Sequence, residues 1–372
     1  MQAKWLLWLS IAVPICTYLG YPLALLVLRL FVHRPVRKQP IEPFVSLLIP
    51  AYREARVIAQ KIRNSLAADY PPGKLEIVVA CDGSPDETPA IARSMSDGER
   101  VRVLDFPANR GKLATLNASL PELGGEIVVF SDAPALLYPD AIRNLVANFA
   151  DPEVGAASGK YTVVRADEVA TGKSEDFYWK YETFLKTIES ELASVLGAHG
   201  HLHAIRRELY PFPPPGTIND DYVIPTSVLA RGYRAVYEPS AVVYEEAHEM
   251  TGFGRRVRIM AGNLQQLRYI RGLLRPFRPL PLFFFVFHKV MRLLVPFAMV
   301  TALAANLLLL DQPAYRALGV CQAVFYGLAG AGAFMRLRPK LLMLPYYFTM
   351  INAAVFAGVY HALTGRRTLP WK

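Results

Sequence analysis

Residues 128–133 read Val-Val-Phe-Ser-Asp-Ala, an apolar run that ends abruptly on a carboxylate. A continuous β-branched and aromatic run has no polar face, so residues 126–130 are predicted to form a short buried strand. Asp132 then emerges at the carboxyl end of this strand, where ligands bind in open α/β sheets. Its carboxylate could hold a divalent cation against a diphosphate, or it could cap a helix that opens near residues 138–140.

Strands and helices are predicted to alternate around this stretch. Apolar runs predict strands at 44–49, 75–80, 101–104 and 126–130. Helical periodicity predicts helices at 54–68, 86–95, 111–120 and 140–149, and further ones at 177–196 and 222–230. Such alternation indicates an α/β, Rossmann-like domain with a mostly parallel sheet covered on both faces.

A polar turn follows each of these strands. The turns lie at 50–54, 81–86, 105–112 and 131–132. Because the carboxyl ends of parallel strands share one edge of a sheet, the four turns are expected to build one crevice. Residues 109–112, Asn-Arg-Gly-Lys, place two cations and a glycine at a helix start, which favours phosphate binding.

The composition indicates an integral membrane protein. Hydrophobic residues make up 53% of the 372 residues, above the usual soluble average. Four stretches carry no charge, and each approaches the roughly 20 residues that an apolar helix needs to cross a bilayer. They are 5–28, 293–310, 317–335 and 341–364. The first is too long for a signal peptide and no small-residue cleavage site follows it.

The net charge of +10 does not indicate a nucleic-acid partner. The basic residues cluster beside the apolar stretches, at 33–38, 255–278 and 336–340. This pattern is typical of cytoplasmic juxtamembrane loops. We therefore expect a multi-pass protein of the inner (plasma) membrane with a cytoplasmic catalytic domain. Residues 253–275 alternate apolar and arginine positions, which predicts an amphipathic helix that binds membrane lipids.

The predicted domains follow from these segments. They are an N-terminal transmembrane helix (1–33), an α/β domain (34–250), an amphipathic interfacial helix (251–280) and a C-terminal transmembrane region (281–372). One span before the domain and three after it would leave Arg366, Arg367 and Lys372 outside, against the charge rule. Either 341–364 does not fully cross, or 280–310 makes an extra pass.

Residues 45–270 resemble an inverting family 2 glycosyltransferase of the GT-A fold. The membrane layout resembles that of bacterial relatives of hyaluronan and cellulose synthases. The segments that carry the resemblance are 49–54, 82–88, 109–112 with Asn117, 130–133, 219–221 and 255–259. The resemblance implies transfer of a sugar from a nucleotide sugar, expected to be a UDP-sugar, to a glycan or lipid acceptor with Mg²⁺ or Mn²⁺.

The resemblance also assigns roles to individual residues. Asp132 would be the metal-binding acid of the D-x-D motif, and Gly200 would let the acceptor approach. The donor-binding residues would be Ala51, Tyr52, Glu54, Asp82, Lys112, Ser131, Arg255 and Arg258.

Two positions depart from the family pattern. Pro134 stands where the fuller metal motif has a second Asp or an Asn, so Asp132 works with fewer protein ligands. Mg²⁺ tolerates this, because it keeps waters and is bound largely through substrate phosphates. In the Q-x-x-R-W motif, Arg255 and Ile259 replace the first and last positions. Residues 265–269, Gln-Gln-Leu-Arg-Tyr, are the alternative match, at a longer distance from Asp221.

Asp220 and Asp221 precede the helical pattern at 222–230. Paired carboxylates there could simply cap the helix, where its dipole favours negative charge. Inverting transfer, however, needs a base that takes the proton of the acceptor hydroxyl. The distance from Asp221 to Gly232-Tyr233 matches the family's catalytic acid, so Asp221 is assigned as the base and Asp220 as a group that orients it.

Two further alternatives stay open. His199, His201 and His203 alternate, which suits a zinc site but equally a strand or loop. The chain could also be a catalytically silent, nucleotide-binding subunit of a polysaccharide synthesis or export complex. Pro134 and Ile259 favour that reading.

Overall fold

The computed structural model describes residues 1–164, 173–246, 253–274, 277–335 and 340–364. Eight strands of these residues form one sheet, in the spatial order β3-β2-β1-β4-β7-β6-β8-β5. They are β1 Val45–Ala51, β2 Leu75–Asp82, β3 Val101–Phe106, β4 Ile127–Phe130, β5 Leu136–Leu137, β6 Val154–Val164, β7 His203–Arg206 and β8 Arg234–Glu246.

The sheet is mostly parallel, as predicted. Strand β1 runs parallel to both β2 and β4, β2 runs parallel to β3, and β6 runs parallel to β8. Strand β7 lies antiparallel between β4 and β6, and β5 pairs antiparallel with β8. Ala51 stands opposite Cys81, and Leu48 opposite Phe130, so the carboxyl ends of the three central parallel strands lie side by side.

The helices of the domain cover both faces of this sheet. They are α3 Ile58–Leu66, α4 Thr88–Ser94, α5 Lys112–Ser119, α6 Ala141–Val146, α7 Lys173–Leu192, α8 Asp220–Ala230, α9 Phe253–Gln266 and α10 Arg271–Leu274. Alternate residues of a strand point to opposite faces. Leu47 and Val129 accordingly face the core that holds α3 and α6, whereas Leu48 and Val128 face the core that holds α7 and α8.

The predicted helix at 54–68 begins four residues late, at Ile58. Residues before it form a turn in which Arg53 has φ +59°. Side chains of the neighbouring turn take the backbone N–H groups: Arg53 N–H donates to Ser84 Oγ (2.9 Å) and Glu54 N–H donates to Thr88 Oγ1 (2.9 Å). The polar segment after β1 is therefore held as a loop at the crevice rather than wound into the helix.

The remaining helices are long and apolar. They are α1 Gln2–Ile15, α2 Tyr21–Arg29, α11 Pro279–Phe284, α12 Met291–Leu307, α13 Pro313–Phe334 and α14 Leu344–Thr364. Short π-helical segments, Cys16–Gly20 and Phe285–Val290, join α1 to α2 and α11 to α12. Four helices are long and apolar enough to cross a membrane: Gln2–Arg29, Pro279–Leu307, Pro313–Phe334 and Leu341–Ala362.

Two sequence expectations for this half are corrected. Pro279–Leu307 is one continuous helix of 29 residues, so the alternative in which 280–310 makes an extra pass is wrong. The basic helix predicted over 253–275 divides into α9, a 3₁₀ turn at Leu267–Ile270 and α10. Arg366, Arg367 and Lys372 lie outside the described residues.

A buried polar network, called here the junction, fastens the long apolar helices Gln2–Arg29 and Pro279–Leu307 to α7. Tyr21 Oη donates to Glu189 Oε1 (2.5 Å), and His288 Nδ1 lies 2.5 Å from the same oxygen. His288 Nε2 lies 3.2 Å from Glu182 Oε2, and Arg292 Nη1 donates to Glu182 Oε1 (2.6 Å). The domain is thus attached to these apolar helices by hydrogen bonds and the Arg292–Glu182 ion pair as well as by apolar packing.

Candidate active site

The crevice lies at the carboxyl ends of β1, β2 and β4. Ala51 ends β1, Asp82 ends β2, and Asp132 follows β4 by two residues. Tyr52 continues from β1 with a partly buried ring, and the Arg53 guanidinium lies 5.4 Å from the centre of that ring. The polar turns predicted to share one edge of the sheet therefore do so.

Asp82 holds two of these turns together. Its side chain is fully buried, and its two oxygens accept the backbone N–H groups of Arg110 (2.9 Å) and Gly111 (2.8 Å). Gly83 has φ +61°, and a Cβ there would lie 2.3 Å from Asn109 N, so only glycine permits this contact. The expected contact of Asp82 with the nucleotide stays a prediction. Its observed partners fix the loop that precedes Lys112.

Lys112 connects the two halves of the crevice. Its Nζ lies 2.9 Å from Asp132 Oδ1 and 3.1 Å from Asp220 Oδ2. Burial opposes the charged ammonium, but these two carboxylates outweigh burial and raise the pKa of Lys112. For Asp132, burial is likewise outweighed by Lys112 and His201, and its pKa is lowered. Lys112 and Asp132 are therefore both charged at neutral pH.

Asp132 does not cap a helix. The N-cap position of α6 is occupied by Asp140, and the side chain of Asp132 remains 28% exposed towards the crevice. Glu54 lies close to it: burial, followed by the charges of Asp132 and Glu245, raises the pKa of Glu54 to about 7. An accessible, ionised carboxylate in an acidic surrounding fits a hard divalent cation that takes its other ligands from phosphates and water.

Asp220 and Asp221 are the first two residues of α8, and neither is its N-cap. That position belongs to Asn219, whose side-chain amide instead donates to Asn263 Oδ1 (3.0 Å) on α9. Neither carboxylate is therefore the N-cap, although both lie in the first turn, where the helix dipole favours negative charge. Asp220 is paired with Lys112.

Asp221 faces Gly200, the predicted acceptor glycine. A Cβ built on Gly200 would lie 3.5 Å from Asp221 Oδ2, so the missing side chain leaves one side of the carboxylate open. Burial and then the neighbouring Asp220 raise the pKa of Asp221 to about 6, against the opposing charges of Lys112, Lys186 and Lys289. This carboxylate can hold a proton near neutral pH, unlike Asp132.

The three alternating histidines pack rather than bind zinc. His201 stacks on Tyr161 with ring centres 4.0 Å apart, and His203 stacks on Phe130 at 4.8 Å. Across the described ranges, no three His, Cys, Asp or Glu side chains are grouped to hold a metal ion. Burial lowers the pKa of His203 to about 4, which keeps the ring neutral.

Ser131 supports the crevice from beneath rather than lining it. It is buried, its hydroxyl donates to His201 O (2.9 Å), and it accepts a hydrogen bond from Lys61 Nζ (2.7 Å). Sequence reasoning missed Lys61, which is fully buried and also donates to Ala135 O. A signal was present, because this lysine shares the buried face of α3 with Ile58 and Ile62.

Helix α9 lies against the segment that carries the acidic pair. Gln265 accepts the N–H of Ile218 (3.1 Å) and donates to Gly216 O (3.1 Å), and Gly262 touches the Asn219 side chain. Arg258 is partly buried on the same helix, while the side chain of Arg255 lies outside the described residues. Both motif candidates, 255–259 and 265–269, thus stand next to the start of α8.

Comparison with known proteins identifies the domain. Residues 46–211 match the family described as Glycosyl transferase family 2. An N-acetylglucosaminyltransferase of Rhizobium leguminosarum bv. viciae is 25% identical over 257 residues, covering 65% of this chain and 58% of the relative. A β-monoglucosyldiacylglycerol synthase of Trichormus variabilis is 30% identical over 169 residues, covering 45% of this chain and 36% of the relative. The chain thus spans 58% and 36% of the length of these curated relatives.

A solved structure matches over nearly the whole chain. It is a mannosyltransferase from Pyrobaculum calidifontis in complex with GDP-Man and Mn²⁺, 27% identical, with a TM-score of 0.72. The match covers 97% of this chain and 99% of the other. Residues 46–211 therefore form a glycosyl transferase family 2 domain, within a GT-A fold flanked by helices long and apolar enough to cross a membrane.

Proposed function

We propose that this chain is a membrane-bound inverting glycosyltransferase that moves a hexose from a nucleotide sugar to a hydroxyl of a glycan or lipid acceptor. The observation that carries the proposal is the ammonium of Lys112 between Asp132 and Asp220. It joins a carboxylate suited to a metal to an acidic pair suited to proton transfer. The names of the relatives, which are transferases and synthases, support a transfer reaction.

The donor would lie along the strand ends. Ala51, Tyr52, Glu54 and Asp82 are proposed to surround the nucleoside. Arg255 and Arg258 are proposed to reach the diphosphate from α9. Asp132 would hold Mg²⁺ or Mn²⁺ together with the donor phosphates, and the ion would neutralise the charge of the leaving diphosphate. The solved mannosyltransferase holds both GDP-Man and Mn²⁺, which supports a divalent metal and makes GDP-sugars a second donor class to test beside UDP-sugars.

The acceptor would approach over Gly200 and meet Asp221. The proton of its hydroxyl passes to the carboxylate, and the hydroxyl oxygen forms a bond to the anomeric carbon. The bond from that carbon to the diphosphate oxygen breaks, and the nucleoside diphosphate leaves with the electron pair. Attack from the face opposite the leaving group inverts the anomeric configuration. A pKa near 6 leaves Asp221 mostly ionised at pH 7 yet basic enough to share a proton.

The cellular setting is also part of the proposal. The four apolar helices and the basic residues beside them support a multi-pass protein of the inner (plasma) membrane with its catalytic domain in the cytoplasm. Its partners would be the nucleotide sugar, the acceptor, membrane lipids and possible subunits of a synthesis or export complex. The silent-subunit alternative gains no support from the relatives, and the retained Asp221 with its raised pKa argues against it.

The test uses the full chain reconstituted in lipid nanodiscs. UDP- and GDP-hexoses are supplied with Mn²⁺, and released nucleoside diphosphate is measured by chromatography. Because water can replace a missing acceptor, we expect slow release even from a preparation without added acceptor. NMR of the sugar product from an α-linked donor should show the β anomer. A retained anomer contradicts the mechanism, and no turnover with any donor supports the silent subunit.

A further inference from the structure

A basic cavity of about 320 Å³ lies outside the crevice, where the membrane helices meet the domain. Arg34 lines it just beyond the helix that ends at Arg29, and Arg278 lines it immediately before Pro279. The cavity therefore opens at the level at which two membrane helices enter the domain. Its remaining lining residues are Ala193, Ser194, Arg234, Phe277, Pro279, Leu280 and Pro281.

Two of the three arginines already have partners. Arg234 is buried and donates to three backbone carbonyls, those of Ala193 (2.9 Å), Arg34 (2.8 Å) and Ser190 (3.0 Å). Arg34 forms an ion pair with Glu153 (3.0 Å) in which both side chains are about half exposed. Arg234 thus forms part of the cavity wall. The Arg34 guanidinium, only weakly paired with Glu153, is a second positive charge at the rim of the cavity.

Arg278 is different. Its Nε is buried and has no hydrogen-bond partner, and its guanidinium forms no ion pair with any part of the chain that the structure describes. Nη2 lies over Gly232, where a Cβ would be 3.9 Å away. Burial and then the charge of Arg34 lower the pKa of Arg278. A half-buried guanidinium whose Nε is buried and unpartnered, beside a second cation, lacks a counterion, so the cavity favours an anion.

The surroundings narrow the class of anion. A guanidinium presents parallel N–H donors that match two oxygens of a phosphate. Beside it, Phe277 has 67% of its surface exposed, and Leu280 opens the helix that enters the apolar region. A soluble phosphate would leave these apolar side chains unused, whereas a phospholipid would cover them.

We propose that this cavity binds the phosphate of an anionic membrane phospholipid, with Arg278 as the main contact and Phe277 and Leu280 against the acyl chains. The site is distinct from the donor crevice, because none of its lining residues belongs to the crevice. It would set the depth at which the domain rests on the bilayer.

The experiment compares lipid binding by the full chain in mild detergent. Phosphatidylglycerol and phosphatidylcholine are titrated and counted as bound adducts by native mass spectrometry. We expect the wild type to retain phosphatidylglycerol preferentially. Loss of one charge-assisted contact in Arg278→Gln should weaken that binding by roughly tenfold to a hundredfold. The matched control is Arg316→Gln, which removes an exposed arginine in the first turn of the next helix, Pro313–Phe334, and should bind like the wild type.

Three outcomes overturn the proposal. One is a folded Arg278→Gln variant with wild-type affinity for phosphatidylglycerol. Another is an equal loss in Arg316→Gln, which would mean that any membrane-proximal cation suffices. The third is binding of inorganic phosphate as tight as that of phosphatidylglycerol, which would make the site one for a soluble anion. If Arg278→Gln does not fold, Arg34→Gln provides the same comparison, because its side chain makes only an exposed ion pair.

Discussion

The crevice and the junction are built from the same kinds of side chain, but they differ in how exposed those side chains are. In the junction, His288 and Arg292 are matched by Glu182 and Glu189, and the carboxylates and the imidazole are almost completely buried. In the crevice, Asp132 keeps 28% of its side chain exposed and Asp221 lies beneath a glycine. Paired charges by themselves therefore do not mark a functional site, because the junction has them without an exposed carboxylate.

The balance of charge differs as well. The junction sets an arginine and a histidine against two carboxylates, whereas Lys112 contacts the carboxylates of both Asp132 and Asp220, with Asp221 adjacent. Lys186 and Lys289 also act on Asp221, whereas Glu54 and Glu245 add acidic groups beside Asp132, where a divalent cation would lower their mutual repulsion. This difference separates a place that binds a ligand from a place that fastens two parts of a protein.

The largest effect is expected at Asp221. Asp221→Asn should lower single-turnover transfer roughly a hundredfold to ten-thousandfold, the usual contribution of a positioned base, while donor binding and thermal stability persist. Asp220→Asn is the matched control on the same helix turn. It should lower the transfer rate less, because Asp220 is proposed only to orient Asp221. An active Asp221→Asn enzyme contradicts the assignment of Asp221 as the base. If Asp220→Asn is inactive at the same time, the roles of the two residues are reversed.

A substitution in the junction should lower stability rather than the rate of transfer. Glu189→Leu removes the partner of Tyr21 and His288 and should lower the free energy of unfolding by about 3–5 kcal/mol, the usual result of breaking a buried pair. Glu191→Gln, on the same helix but in an exposed pair with Arg29, should cost no more than about 1 kcal/mol. Thermal melts in detergent measure both. A Glu189→Leu protein with normal stability but lost transfer would show that the junction is catalytic.

The third effect concerns metal. Asp132→Ala should remove the dependence of donor binding on Mn²⁺ and weaken that binding by about tenfold to a hundredfold, because one charged contact is lost. Pro134→Asp adds a second carboxylate and should strengthen metal affinity. Titration of a nucleoside diphosphate with and without Mn²⁺ checks both variants. Donor affinity that still rises with Mn²⁺ in Asp132→Ala would exclude this residue as the ligand.

The smallest effect is a shift in pH dependence. Asp221 acts as a base only when deprotonated, so transfer should fall as pH drops through about 6. Lys186 is a buried cation that holds this pKa down, and Lys186→Gln should move the midpoint upward by less than about one pH unit. Lys180→Gln, exposed on the same helix, is the control. An unmoved midpoint in Lys186→Gln would mean that another group controls the profile.

Much of the fold was predictable because its first half follows simple periodicity. Strands β1, β2 and β4 are buried on both faces, so each appears in the sequence as a largely apolar run. Strands β6 and β8 were missed, since serine, lysine and glutamate interrupt them. Their partners come from distant parts of the chain, and tertiary pairing rather than local pattern decides such strands.

The sequence predicts which residues form the candidate site, but it does not predict which contacts they make. Motif resemblance located Asp132, Asp220 and Asp221, yet it could not show that Lys112 bridges the first two. It also placed Ser131 at the donor, which stays a prediction, and it did not show that the buried hydroxyl accepts from Lys61 and donates to His201 O. Contacts between residues 70 positions apart depend on the packing of whole helices, which a sequence pattern does not encode.

The order of strands in the sheet has a consequence for how the chain is made. Strand β8 is the last of the eight to leave the ribosome, yet it lies between β6 and β5 in space. Strand β5 therefore waits unpaired through more than 90 further residues of synthesis, until Leu136 can meet Tyr244. The first apolar helix, Gln2–Arg29, has been synthesised before that interval begins. A fragment that stops at residue 211 would lack both β8 and the acidic pair, so the crevice is completed only when synthesis has passed residue 246 of the 372.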